Sequence, residues 1–256
     1  MAEAALSYDD NGHNGSPAYV FVHGWTCDRS FFKPQYDHFG AHARAIALDL
    51  RGHGKSPLAA DGDYSIAAFA GDVAALIEQL DIAPAIVVGH SLGGVITCAL
   101  AATRPDLVAA AVMVDPAPFV WPEAIRPILE DIFNSVNSSD GPAARARLVD
   151  AIFMPTDDQQ RKAEIAAAMQ AAPQEVAGPS IASLLHFDGP AALAAVRCPI
   201  ASIGSDGPVN DTQEMKRLNP NILIGQTLGA GHFNQLEVPD QMNAMIERFV
   251  RISHKP

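Results

Sequence analysis

Gly89-His90-Ser91-Leu92-Gly93 decides the reading of this chain. The pentapeptide fits G-x-S-x-G. Before it runs Ala85-Ile86-Val87-Val88, apolar and β-branched, which predicts a buried strand. After it runs Val95 to Ala102, apolar and alanine-rich, which predicts a helix. A strand that breaks abruptly into a helix at a serine crowds the backbone on both sides. Glycine at 89 and 93 removes the Cβ atoms that would collide. The Ser91 hydroxyl is then held out from the top of a sheet, above a helix N-terminus whose unpaired N–H groups favour developing negative charge. A glycine-rich β–α turn without chemistry would share the pentapeptide, so its surroundings carry weight.

Working outward, further apolar runs predict strands at 19–23, 43–49, 109–115, 199–204 and 223–228, with one more possible at Ala5–Tyr8. They alternate with helical patterns, the signature of a parallel sheet covered on both faces. Over 65–80, Ile66, Phe69, Val73, Leu76, Ile77 and Leu80 recur at helical spacing behind a capping Ser65. The last helix starts near Pro239 and puts Met242, Met245, Ile246, Phe249 and Val250 on one face.

Three more motifs follow strand runs: His23-Gly24-Trp25, Asp49-Leu50-Arg51-Gly52-His53-Gly54-Lys55-Ser56, and Gly229-Ala230-Gly231-His232-Phe233. With the elbow, and in this order, they resemble the α/β-hydrolase superfamily from about Val20 to Phe249. The resemblance implies an α/β-hydrolase fold, with a mostly parallel central sheet and a small helical cap. The core would comprise residues 1–118 and 188–256. The cap would be 119–187, where no strand appears and the chain is rich in alanine with Pro and Gly punctuation. Its apolar residues need something to bury against, and the C-terminal edge of the sheet supplies it.

The same resemblance implies the site. Ser91 is a weak nucleophile and needs a general base. His232 occupies the family's position for it, between the last strand and the last helix. His90 must point away from Ser91, and His23 and His53 brace loops. The acid that orients the base is expected at Asp206, just after strand 199–204, although the family usually has it one residue later, where Gly207 stands. Asp115, ending strand 109–115, is the alternative, and Asp211 a third candidate. The N–H groups of Trp25 and Leu92 are implied as the oxyanion hole. Trp25, His90, Phe119, Trp121 and His186 are expected to line the substrate pocket.

The expected activity is a serine hydrolase cleaving a carboxylic ester or lactone of a small to medium, partly hydrophobic substrate through an acyl-enzyme, without cofactor or metal. A cofactor-free ring dioxygenase using a His–Asp dyad, a C–C hydrolase, an amidase and a non-catalytic ligand-binding member share these residues. Ser91 excludes the dehalogenase and epoxide-hydrolase branches, which carry aspartate there.

Bulk properties narrow the partners. The 256 residues are 48% hydrophobic, enough for one α/β domain with a sizeable core. A formal charge of −12 argues against nucleic acid or an anionic membrane as partner. No run approaches the ~20 apolar residues of a membrane span. No stretch reads as a secretory leader. Cys27, Cys98 and Cys198 are scattered, without C-x-x-C, which suits a reducing cytoplasm. Gly54-Lys55-Ser56 is not a P-loop, because Asp49 stands where that motif needs glycine.

Overall fold

The structure, a computed structural model, describes residues 6–15, 17–121, 123–207 and 209–253. In chain order the elements are β1 (Tyr8–Asp10), β2 (Tyr19–Val22), a 3₁₀ turn (Arg29–Phe32), α1 (Lys33–Gly40), β3 (Ala45–Leu48), α2 (Ile66–Gln79), β4 (Ala85–His90), α3 (Leu92–Thr103) and β5 (Val108–Val114). There follow α4 (Arg126–Val136), α5 (Gly141–Ala151), α6 (Gln159–Ala171), α7 (Gln174–His186) and α8 (Gly189–Ala195). The chain closes with β6 (Ile200–Gly204), α9 (Thr212–Leu218), β7 (Leu223–Gln226), α10 (Asn234–Glu237) and α11 (Pro239–Ser253).

Seven strands form one sheet in the order β1-β3-β2-β4-β5-β6-β7, parallel except for β1, which runs antiparallel to β3. The first strand lies at Tyr8–Asp10, beyond the expected Ala5–Tyr8, and Ala5 falls outside the described residues.

Strand alternation divides the core into two faces. On β2, Val20 and Val22 point to one face, Tyr19 and Phe21 to the other. On β4, Ala85 and Val87 share the first face, Ile86 and Val88 the second. The first face is covered by α2, α3 and α8; the second packs on Phe39 of α1 and on Met242, Ile246 and Phe249 of α11. In α2, the Ser65 hydroxyl accepts the Ala68 N–H, and Phe69, Val73 and Ile77 are fully buried. Burial of each contributes about 1.5–3 kcal/mol.

The strand order reverses between β2 and β4, because β3 lies on one side of β2 and β4 on the other. A crevice opens at such a point, outside the C-terminal ends of the strands. The loops after β2 and β4 flank it. Between β5 and β6 the chain departs from strand–helix alternation, and α4–α7 pack on one another there. No helix among the described residues is long and apolar enough to cross a membrane.

Candidate active site

Ser91 follows β4 directly and caps α3, with φ 53° and ψ −117°. Positive φ is uncommon for a side chain with a Cβ and costs about 1–3 kcal/mol unless its surroundings enforce it. The surroundings do. The Ser91 N–H donates to Val114 O at 3.0 Å, and its carbonyl accepts the Gly94 N–H at 2.9 Å. A Cβ on Gly93 would fall on the carbonyls of Val22 and His23, and one on Gly89 would fall on the carbonyl of Gly93. The two glycines are therefore obligatory for this turn.

Of the four non-glycine residues with positive φ among the described residues, three lie here: Thr26 (55°), Ser91 (53°) and Asp115 (34°). Each stands in the first residues after β2, β4 or β5. Backbone strain is concentrated at the crevice.

Asp115 continues β5, its N–H donating to Ile203 O at 2.8 Å. Its Oδ1 accepts the Ser205 N–H at 2.8 Å, and its Oδ2 accepts from His232 Nδ1 at 2.7 Å. That bond fixes the tautomer, leaving Nε2 of the imidazole as the bare nitrogen. The His232 carbonyl accepts from His90 Nε2 at 2.9 Å, and the two rings lie 4.7 Å apart.

The carboxylate beside His232 is thus Asp115 and not Asp206. Asp206 is exposed, its N–H donates to Ala230 O at 3.2 Å and its Oδ2 accepts the Gly229 N–H at 2.9 Å. It braces the backbone of the histidine loop three residues short of the imidazole. Its carboxylate is turned to the Gly229 amide instead of the imidazole. Asp211 is farther still from the role: it caps α9, accepting the N–H groups of Gln213 and Glu214.

Ser91, His232, His90, Leu92 and Trp25 line one cavity of about 130 Å³. Its other walls are apolar. Leu129, Phe133, Leu148, Ile152, Ile181 and Leu184 come from α4, α5, α7 and the turn after α5, and Cys27, Val209 and Phe233 from the core loops. No Asp, Glu, Lys or Arg among the described residues lines it. The Ser91 hydroxyl and the His232 imidazole share this cavity without a hydrogen bond between them. The backbone N–H groups of Trp25 and Leu92, both lining the cavity, donate to no acceptor among the described residues.

Three residues expected in the pocket lie elsewhere. Phe119 is buried beneath Gly189, and Trp121 packs against Phe133 with the Arg126 guanidinium 5.0 Å from its ring. His186 lines a separate hollow with Tyr64 and Pro179. Of the three, Phe119 is buried, Trp121 half-buried and His186 exposed, and none of them reaches the cavity of Ser91.

The other histidines of the motifs are committed to the backbone. His23 Nε2 accepts the Leu50 N–H at 3.0 Å and Nδ1 donates to Gly24 O at 2.8 Å; burial pushes its pKa down to about 4. His53 Nδ1 donates to Arg51 O at 2.9 Å, and burial, with His23 nearby, pushes it down to about 3. Burial and the neighbouring His232 hold His90 well below its ordinary value. His254 lies outside the described residues. No cluster of metal-ligating side chains occurs among the described residues.

Two side chains that sequence reasoning did not single out hold the site's loops. Asn210 accepts the N–H groups of Phe119 and Val120 at 2.9 and 3.0 Å and donates to the carbonyls of Pro116 and Ala117 at 2.9 and 3.3 Å. Asp157, in the turn between α5 and α6, accepts the Gly231 N–H at 2.9 Å. Neither has a signal in a single sequence, since an Asn or Asp in a loop is the commonest of surface residues.

A sequence model of the family described as alpha/beta hydrolase fold matches residues 17–239. Among curated proteins, the chain is 33% identical over 154 residues to the lipase LipV of Mycobacterium tuberculosis, a stretch covering 60% of this chain and 58% of that one. It is 38% identical over 109 residues to a 2-(acetamidomethylene)succinate hydrolase of Mesorhizobium japonicum, covering 43% of this chain and 39% of that one. The matched stretches thus span less than two thirds of these relatives' own length. Among solved structures, an esterase from Thermogutta terrifontis superposes with a TM-score of 0.82 at 22% identity, over 98% of this chain and 94% of that one. An enol-lactonase from Burkholderia xenovorans superposes with a TM-score of 0.80 at 22% identity, over 96% of both. At these identities the likeness to the solved structures is one of fold.

Proposed function

The chain belongs to the alpha/beta hydrolase fold family, and from that premise we propose that it is a serine hydrolase acting on neutral, apolar carboxylic esters or lactones. The observation that carries the reading is the common cavity. Ser91 stands in its strained turn on one side, and His232, held by Asp115, stands on the other.

Substrate enters with its acyl group among the apolar walls and its carbonyl carbon over Ser91 Oγ. His232 Nε2, bare because Nδ1 serves Asp115, takes the hydroxyl proton as Oγ attacks. The N–H groups of Leu92 and Trp25 receive the oxyanion, each worth roughly 3–4 kcal/mol in other enzymes of this kind. The imidazolium returns its proton to the leaving alcohol, and water activated by the same Nε2 releases the acid. Serine and histidine close to hydrogen-bond reach in the substrate complex. The helices α4–α7 act as a cap that excludes bulk water. The three cysteines, all free, fit a reducing compartment, the cytoplasm.

The test is p-nitrophenyl butyrate hydrolysis by the wild type and Ser91→Ala, with an organophosphonate probe followed to its modified residue by mass spectrometry. Turnover lost in Ser91→Ala, and the label on Ser91, support the reading. Wild-type turnover retained in Ser91→Ala overturns it.

A second reading rests on the position of the acid. With Asp115, the residue after β5, holding His232, the pair matches the dyad of a cofactor-free oxygenase, which deprotonates a ring hydroxyl and leaves the serine idle. Oxygen uptake with hydroxylated heteroaromatics, undiminished in Ser91→Ala, would favour it over the hydrolase.

A further inference from the structure

The general base assigned above has a second carboxylate behind it. Asp157 is 4% exposed, and both of its oxygens are engaged by backbone amides. Oδ2 accepts the Met154 N–H at 2.7 Å, within its own turn, and Oδ1 accepts the Gly231 N–H at 2.9 Å, from a loop 74 residues away. The next amide follows suit, with His232 N–H donating to Ile152 O at 3.3 Å. Two consecutive N–H groups of the histidine loop therefore enter the turn between α5 and α6. A Cβ on Gly231 would stand 2.5 Å from Asp157 Oδ2. Only glycine permits this approach.

No cation neutralises Asp157 among the described residues. A buried carboxylate satisfied only by N–H donors makes bonds that are roughly twice as strong as neutral ones and directionally demanding. Neighbouring contacts keep the turn in place: Phe153 stacks on Phe233 at 5.3 Å, and Arg161 pairs with Glu237 at 2.9 Å. Those contacts hold the turn against the core without touching the residue before the imidazole; the Asp157 bond does touch it.

We infer that Asp157 is a positioning residue for His232: through the Gly231 amide it sets where the imidazole stands between Asp115 and Ser91. The inference rests on His232 serving as the base, yet one of its tests does not need turnover.

The far-downfield proton of the His232–Asp115 hydrogen bond is followed by NMR in the wild type, Asp157→Ala, Asp157→Asn and Arg161→Ala. It is expected to shift or broaden away in Asp157→Ala. It is expected to shift less in Asp157→Asn, which keeps one acceptor oxygen, and to stay put in Arg161→Ala. In parallel, kcat for p-nitrophenyl butyrate, normalised by burst titration, is expected to fall ~10–100-fold in Asp157→Ala with KM within about threefold. If Asp157→Ala is insoluble, Asp157→Asn and Gly231→Ala carry the same readouts. An unmoved proton, or an unchanged per-site kcat beside a merely lowered melting temperature, overturns the inference. Turnover surviving Ser91→Ala would instead strike the serine mechanism, and leaves the proton measurement standing.

Discussion

Asp115 divides its two oxygens between the end of β6 and the imidazole: Oδ1 takes the N–H of Ser205, the residue after that strand, and Oδ2 takes His232 Nδ1 at 2.7 Å. The carboxylate is thus fixed from behind by the residue that follows β6 before it orients the ring. Asp115→Asn keeps an oxygen for one partner only and favours the wrong tautomer of His232. Turnover of p-nitrophenyl butyrate is expected to fall ~10³–10⁴-fold, as in other triads. Asp206→Asn, which can still accept the Gly229 N–H, should lose less than ~10-fold. Steady-state kinetics on the two variants checks the assignment, and the reverse ranking would refute it.

The cavity has no charged wall among the described residues. An acyl group bearing a carboxylate would be buried there without a partner, at a cost of several kcal/mol. The p-nitrophenyl monoester of succinate should therefore be cleaved with kcat/KM at least ~100-fold below that of butyrate. Comparable values for the two would contradict the neutral-acyl specificity.

Removal of Asn210 strips partners from two buried N–H groups and two carbonyls at once. Asn210→Ala should lower stability by about 2–4 kcal/mol in urea titrations. It should also raise KM, because Ala117 and Pro118 of the released loop form part of the cavity wall.

Three buried histidines set an acid-side limit on stability. His23 and His53 are pushed down to about 4 and about 3, and His90 well below its ordinary value, burial being the main cause in each. An unfolded histidine titrates near 6.5. As pH falls below ~6.5, the unfolded chain takes up protons that the folded one refuses. This stability is therefore fully present above ~6.5 and is lost progressively as pH falls toward about 4, at up to about 1.4 kcal/mol per pH unit for each histidine. Carboxylates held low by arginine, such as Asp10, act mainly below this window. Melting temperatures between pH 7.5 and 4.5 should descend steadily; a flat profile would show that these rings are not buried neutral.

Much of the fold was legible because its signals are local. The six strands read from apolar runs appear within two residues of their expected bounds, and α2 begins at the residue after its expected cap. The elbow was legible for the same reason, since glycine–serine spacing reports backbone crowding directly. The acid was not. Asp115 and Asp206 both follow strands in the right chain order, and what separates them is that one carboxylate meets the imidazole and the other the Gly229 amide, a contact that chain order does not carry. Phe119 and Trp121 failed differently: hydrophobicity marks a residue as wanting cover but carries no direction, and the exposed His186 had no local signal at all. Asn210 and Asp157 act through backbone groups far away in sequence, where composition leaves no trace.

The bond from Trp25 Nε1 to the carbonyl of Ala177, 2.8 Å long, ties α7 to the loop after β2. With the Ile152 and Asp157 bonds to the histidine loop, it moors the inserted helices at two points on the rim. Helix α4 packs on α5 and α7 and takes part in none of these bonds. We expect the cavity to open along α4, whose Leu129 lines it; faster amide hydrogen exchange in α4 than in α7 checks this, and the reverse order contradicts it.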